Sequence, residues 1–192
     1  MREAEYTRFH EHTLKQSYVD ARASENFQKI YGIVHPQEQW SQVRKSRLSP
    51  FYNRQKDLGA NFFETAGWER PQWYRSNDRL VDVYDVPSRD GWGSMWWSRT
   101  TGAEHQAVRD KVGMFDLTAF VKIDIEGPGA LNYLDYMVVK NINKPVGTVV
   151  YTPLVNSNGG IVADLTVLRL SENLFRIITG ASVGMRDLSW FK

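Results

Sequence analysis

The 192-residue sequence contains no cysteine. Disulfides, thiolate metal sites and a cysteine nucleophile are excluded, and the absence fits a reducing compartment. Histidine is scarce too: His10, His12, His35 and His105 are scattered, with no metal-ligand spacing to link them. No stretch approaches the roughly 18 apolar residues of a membrane-spanning helix, and the opening Met-Arg-Glu-Ala-Glu-Tyr has no apolar signal core. Charge of one sign is also missing, because 24 basic and 22 acidic residues are interspersed to a net +2. That leaves no basic stripe for nucleic acid and no membrane-binding patch. The expectation is a soluble protein, cytoplasmic or in a mitochondrial matrix if eukaryotic, with neither nucleic acid nor membrane as partner.

What is present is an ordinary globular balance, 42% hydrophobic and 24% charged, with many aromatics. Five of the seven tryptophans fall between Trp68 and Trp97. From Ser17, a plausible N-cap, Val19, Ala23, Phe27 and Ile30 recur at helical spacing and predict an amphipathic helix ending near Gly32. Ser49-Pro50 predicts a second short helix closed by Gly59. Residues 60–66 are predicted as a strand, 67–74 as irregular because of Gly67 and Pro71, and 75–100 as a tryptophan-rich loop. A helix follows from about Gly102 to Lys111. Val121, Ile123 and Ile125 then alternate with Lys122, Asp124 and Glu126 as a half-buried strand.

Gly127-Pro128 opens a helix with Leu131, Leu134 and Val138 as its buried stripe. Strands at about 148–155 and 161–170 flank Asn156-Ser157-Asn158-Gly159-Gly160, the clearest hairpin of the chain. A turn at Glu172-Asn173 leads to a strand at Leu174–Thr179, and a helix begins near Ser182 without a cap before Lys192.

On the second hairpin strand, Ile161, Ala163, Leu165 and Val167 share one face; Val162, Asp164, Thr166, Leu168 and Leu170 share the other. Both faces are largely apolar, so the strand is expected to be covered on both sides, with Asp164 projecting into a core or pocket. A carboxylate there must be paired, capped or put to use, since an unpaired buried charge is costly. Pattern alone leaves a salt bridge or cap open beside a ligand role.

Other candidates are weaker. Glu104 and His105 are neighbours on a helix and point about 100° apart. Gly127-Pro128-Gly129 has neither the dinucleotide nor the Walker pattern, and its proline removes an amide donor. Trp68, Trp73, Trp96 and Trp97 could stack on a flat heterocycle, although such clusters are more often structural.

Four segments occur together in order: Gly67-Trp68-Glu69-Arg70-Pro71, Glu104-His105-Gln106-Ala107-Val108-Arg109, Val112-Gly113-Met114-Phe115-Asp116, and Tyr151-Thr152 followed by Gly159 to Val167. With them the sequence resembles glycine-cleavage aminomethyltransferases, and more closely the dimethylglycine and sarcosine dehydrogenases, in which a flavin domain precedes a folate domain. The resemblance implies an α+β fold: residues 1–47 as a helical connector following a flavin domain, and 48–192 as the incomplete first part of a cloverleaf folate-binding domain with an antiparallel sheet. It also implies tetrahydrofolate as cofactor, FAD held in a flavin domain or partner subunit outside this stretch, and a small N-methyl amine as substrate.

By the same resemblance Asp164 contacts the pterin and serves catalysis, and Tyr151 lines the same cavity. No metal is implied. Leu168 departs from the family, which commonly carries an aromatic polar residue there. A non-catalytic folate-binding or assembly subunit is the alternative reading.

Overall fold

The computed structural model describes residues 6–192, which group into two compact units: residues 10–118, and residues 119–192 together with 6–9. Each is an α+β arrangement with its own antiparallel pairing. The helical connector and the ribbon that follows it share the first unit, so compactness divides the chain between Thr118 and Ala119.

In residues 10–118 the first helix, α1, spans Gln16–Lys29 and has no side-chain cap; it begins after Lys15, not at Ser17. Its inward side is not the predicted apolar stripe. Val19, Phe27 and Ile30 are exposed, while Glu25 is buried and Tyr18, Ala21 and Arg22 are half-buried. The exchange is possible because the Glu25 carboxylate is saturated: it accepts from the Ser41 N–H at 2.6 Å, the Gln42 N–H at 2.8 Å and the Ser41 hydroxyl at 3.0 Å. A buried carboxylate with this many donors keeps its charge at tolerable cost.

Ser49 Oγ accepts from the Phe51 N–H at 3.1 Å and leads into α2, Tyr52–Asp57. Strand β1, Ala60–Thr65, then pairs with β2, Trp68–Tyr74, so residues 67–74 are a strand and not an irregular segment. The turn between them is Ala66-Gly67, both at positive φ (52° and 82°), the geometry of a two-residue hairpin turn that twists with its strands. Pro71 is tolerated because it lies beside the register shift at Asn61/Phe62 in a ribbon of only two strands, where an absent N–H disrupts no central ladder.

The stretch predicted as loop carries α3, Leu80–Val83, and two short 3-10 turns. Helix α4 runs Arg99–Asp110, three residues earlier than expected, because Ser98 caps it by accepting from the Thr100 N–H at 3.2 Å. Its buried Ala103 packs with Val81 and Val86 in a small apolar cluster.

In residues 119–192, β3 (Val121–Glu126), β4 (Val149–Val155), β5 (Ile161–Arg169) and β6 (Leu174–Thr179) form one antiparallel sheet in the order β3-β6-β5-β4. The alternation predicted for β3, the hairpin and the meander are all observed. One sheet face carries Ile123, Leu154, Ala163, Leu165, Val167, Phe175 and Ile177. It is covered by α5 (Ala130–Met137), which contributes the fully buried Leu134, and by α6 (Gly184–Trp190), which contributes Leu188, with Phe191 just past its end. Gly184 permits this close packing of α6, since a Cβ there would lie 2.4 Å from the Val121 side chain. The other face of the sheet is covered only in part, and the candidate site lies there.

Candidate functional site

Asp164 is on that open face and is exposed, which corrects the expectation of a strand covered on both sides with its carboxylate driven into a core. The cause is one-sided covering. Ala163, Leu165 and Val167 are buried under α5 and α6, whereas Val162, Thr166 and Leu168 are only half-buried. Apolar composition on both faces of β5 therefore reports one true core face and one apolar but accessible surface.

The hairpin register places Tyr151 opposite Thr166 and Pro153 opposite Asp164, so Tyr151 reaches Asp164 diagonally across the same face. The Tyr151 hydroxyl donates to Asp164 Oδ2 at 2.9 Å. This bond, and the negative charge it meets, hold the phenol above its ordinary value of 10.0, so Tyr151 remains protonated and a donor at neutral pH. The other carboxylate oxygen of Asp164 makes no hydrogen bond among the described residues.

Around the pair is a concavity of about 340 Å³, lined among others by Phe120, Val162, Thr166, Ile178 and Arg186. Its walls combine a carboxylate, hydroxyls and a guanidinium with apolar groups. Such a surface can accept a flat ring with N–H donors on one edge and acceptor oxygens on another.

Farther along the same face Arg176 grips Asp124 with two bonds of 2.8 Å. That match pairs both groups with each other.

The other sequence candidates are not brought to this concavity. The Glu104 carboxylate accepts from the Tyr74 N–H at 2.9 Å and Asn77 Nδ2 at 2.7 Å, a structural tie within residues 10–118, and His105 is exposed beside it. Trp68 packs under Arg47, Trp97 under Arg89 and Trp92 against His35, so three of the tryptophans stack on different partners and not on one platform. Gly127 and Gly129 serve the entry to α5. A second concavity, of about 350 Å³, is lined by Tyr74, Glu104, Phe115 and Asp116. Its carboxylates are occupied, since Asp116 accepts from Gln55 Nε2 at 2.8 Å and from the Thr118 N–H at 2.9 Å.

Two residues escaped the sequence reading. Asp187, fully buried on α6, accepts from the Thr179 hydroxyl and from Arg186, whose side chain lines the concavity. A signal existed: Gly184, Asp187, Leu188 and Phe191 share a helical face, so an acidic residue stands on the buried stripe. Among the described residues no group of three His, Asp or Glu could hold a metal ion, and no helix is long and apolar enough to cross a membrane.

A family model described as the GCVT N-terminal domain matches residues 51–192, and one described as the FAD dependent oxidoreductase central domain matches residues 1–49. The 4-methylaminobutanoate oxidase (formaldehyde-forming) of Paenarthrobacter nicotinovorans is 30% identical over 96% of this chain and 22% of its own length. An aminomethyltransferase of Halothermothrix orenii is 31% identical over 76% of this chain and 34% of its own. The mitochondrial dimethylglycine dehydrogenase of Mus musculus is 30% identical over 91% and 19%. The chain thus spans between about a fifth and a third of the length of these relatives. Among solved structures, the glycine cleavage system aminomethyltransferase T of Bartonella henselae matches 76% of this chain and 34% of its own with a TM-score of 0.54 and 24% identity, a likeness of fold.

Proposed function

Because the chain belongs to the family of the GCVT N-terminal domain, we propose that it is part of a demethylating amine oxidoreductase and contributes one wall of its tetrahydrofolate site. Residues 1–47 are the connector that follows a flavin domain, and residues 48–192 begin the folate domain. Two family matches that meet at residue 50 support this division. The substrate is a small N-methyl amine of the dimethylglycine or sarcosine kind, in keeping with the names of the relatives.

FAD, held outside this stretch, supplies oxidation of the N-methyl group, and tetrahydrofolate accepts the one-carbon unit. The residues of this chain bind and orient. Asp164 accepts N–H groups of the pterin and fixes which nitrogen faces the incoming carbon; Tyr151 holds the carboxylate in place. The observation that carries the reading is the Tyr151–Asp164 hydrogen bond of 2.9 Å, set in an accessible, partly apolar concavity.

In the full-length polypeptide that carries this sequence, Asp164→Asn is expected to lower methylenetetrahydrofolate yield by at least about tenfold. Amine oxidation, followed by dye reduction, and melting temperature should hold, with the carbon released as formaldehyde. Equal folate-dependent turnover in wild type and variant rejects the assignment. It would favour the second reading, a non-catalytic binding or assembly role, which the aliphatic Leu168 on the same sheet face supports.

A further inference from the structure

The group in this concavity with no role so far is Arg186. Its Nε and Nη2 both donate to Oδ1 of Asp187, at 2.9 and 2.6 Å, and the Thr179 hydroxyl donates to the other carboxylate oxygen. Asp187 is fully buried and the Arg186 side chain is 11% exposed. Successive helix residues point about 100° apart, so Arg186 must fold back along α6 to make this contact. The fold therefore holds the guanidinium in one orientation.

Nη1 has no partner among the described residues, although Arg186 lines the same concavity as Tyr151 and Asp164. A charge only 11% exposed, tied on one edge by a buried counter-charge and unpaired at Nη1 in a side chain that lines an accessible hollow, is preorganised to donate. Its cost of orientation is already met in the fold.

We infer that Arg186 is a specificity-determining residue that donates from Nη1 to an acceptor oxygen of the bound ligand, with Asp187 and Thr179 as its positioning residues. The site then has a polarity. N–H donors go to Asp164, acceptor oxygens go to Arg186, and the flat part of the ligand lies over Val162 and Ile178. The inference rests on the folate reading above, and tetrahydrofolate offers acceptor oxygens at its two ends, the pterin carbonyl and the p-aminobenzoylglutamate tail.

The test is calorimetric titration of the full-length polypeptide with tetrahydrofolate and with 6-methyltetrahydropterin, which keeps the ring and lacks the p-aminobenzoylglutamate tail. Arg186→Gln is expected to weaken tetrahydrofolate binding about tenfold to a hundredfold. If the tail is the source, 6-methyltetrahydropterin binding stays as in wild type; if the pterin carbonyl is, both ligands weaken by the same factor. Arg186→Lys keeps the charge beside Asp187 and loses the fork, so it should fold as wild type and still bind tetrahydrofolate more weakly, which decides the matter if Arg186→Gln does not fold. A role confined to anchoring α6 would move melting temperature and leave both affinities within twofold. That result in Arg186→Lys, with both ligands weakened by Asp164→Asn, overturns the inference and leaves the folate reading standing. Failure of wild type to bind either ligand overturns both.

Discussion

The two compact units solve the same problem in different ways. Residues 119–192 bury a contiguous apolar cluster in which Leu134, Leu154, Phe175 and Ile177 have no exposure. Residues 10–118 bury only Val81, Val86 and Ala103 as an apolar cluster, and are tied together by carboxylates that reach across the chain. Glu25 holds Ser41 and Gln42; Glu69 holds Arg44 and the Lys45 N–H; Asp116 holds Gln55 and Thr118. The first strategy depends chiefly on volume. The second depends on ionisation and on partners distant in sequence.

The sharpest way to break the contrast is to open the apolar cluster. Phe175→Ala, at a position with no exposure, is expected to cost about 3–5 kcal/mol through lost transfer energy and the cavity left behind. Segment-resolved hydrogen exchange should show the loss in β3, β5 and β6. An equal acceleration of the β1–β2 amides would mean that the two units are not separately supported.

The same contrast explains what the sequence made legible. Strand β3 was readable because its alternation reports a sheet with one core face, and the Asn156–Gly160 hairpin because its turn residues announce themselves. In the carboxylate-tied unit local pattern misled. Val19, Phe27 and Ile30 have helical spacing yet are exposed, because what decides the inward side of α1 is a pair of backbone amides 16 and 17 residues beyond Glu25. Strand β2 was hidden by Pro71, since the bulge that accommodates it is a property of the pair and not of the segment.

At the site, Asp164 stood out on strand periodicity and on the resemblance, and Tyr151 on the resemblance alone, but periodicity could not tell an apolar accessible face from an apolar core face. Asp187 stood on a readable helical stripe; Arg186 lay beyond such a reading, because its pairing with Asp187 requires the side chain to turn against the helix direction.

A smaller effect, and one of opposite character, is expected from Glu69→Gln. Burial pushes the Glu69 carboxyl up, but the Arg44 guanidinium and the Lys45 N–H outweigh it and hold the group below its ordinary 4.5; Glu25 is likewise held low by Ser41 and Gln42 against its burial. For carboxyls lowered in the fold, the stability they contribute is present above about pH 4.5 and is lost as pH falls through the lowered values. Glu69→Gln should cost about 2–3 kcal/mol, below the 3–5 of a fully buried broken pair, since Arg44 is a quarter exposed and keeps the Phe62 carbonyl at 3.1 Å. Trp40, Trp68, Trp73, Trp92, Trp96 and Trp97 all belong to this unit, so denaturation followed by fluorescence at pH 7 and about pH 3 reads it directly. The variant should be weaker at pH 7 and show a smaller further loss in acid. An unchanged acid dependence would remove Glu69 from the account of this unit.

The smallest effect tests whether local ties count in a unit with so little apolar core. Ser98 caps α4 at the Thr100 N–H, and Thr100 Oγ1 in turn donates to Asp78 Oδ1 at 2.7 Å, which joins the cap to the segment before α3. Ser98→Ala removes the first bond and leaves the second, so about 1 kcal/mol should be lost. Exchange protection in the first turn of α4, Arg99 to Gly102, should fall before that of its last turn, where the Lys111 N–H bonds to the Ala107 carbonyl at 2.9 Å. In the apolar unit the matching change at a helix start has no side-chain cap to remove, since Gly129 begins α5 and Val183 begins α6 without one. If Ser98→Ala leaves both turns equally protected, then the Thr100–Asp78 bond holds the start of α4 by itself, and the ties within residues 10–118 are redundant where the contrast requires them to be additive.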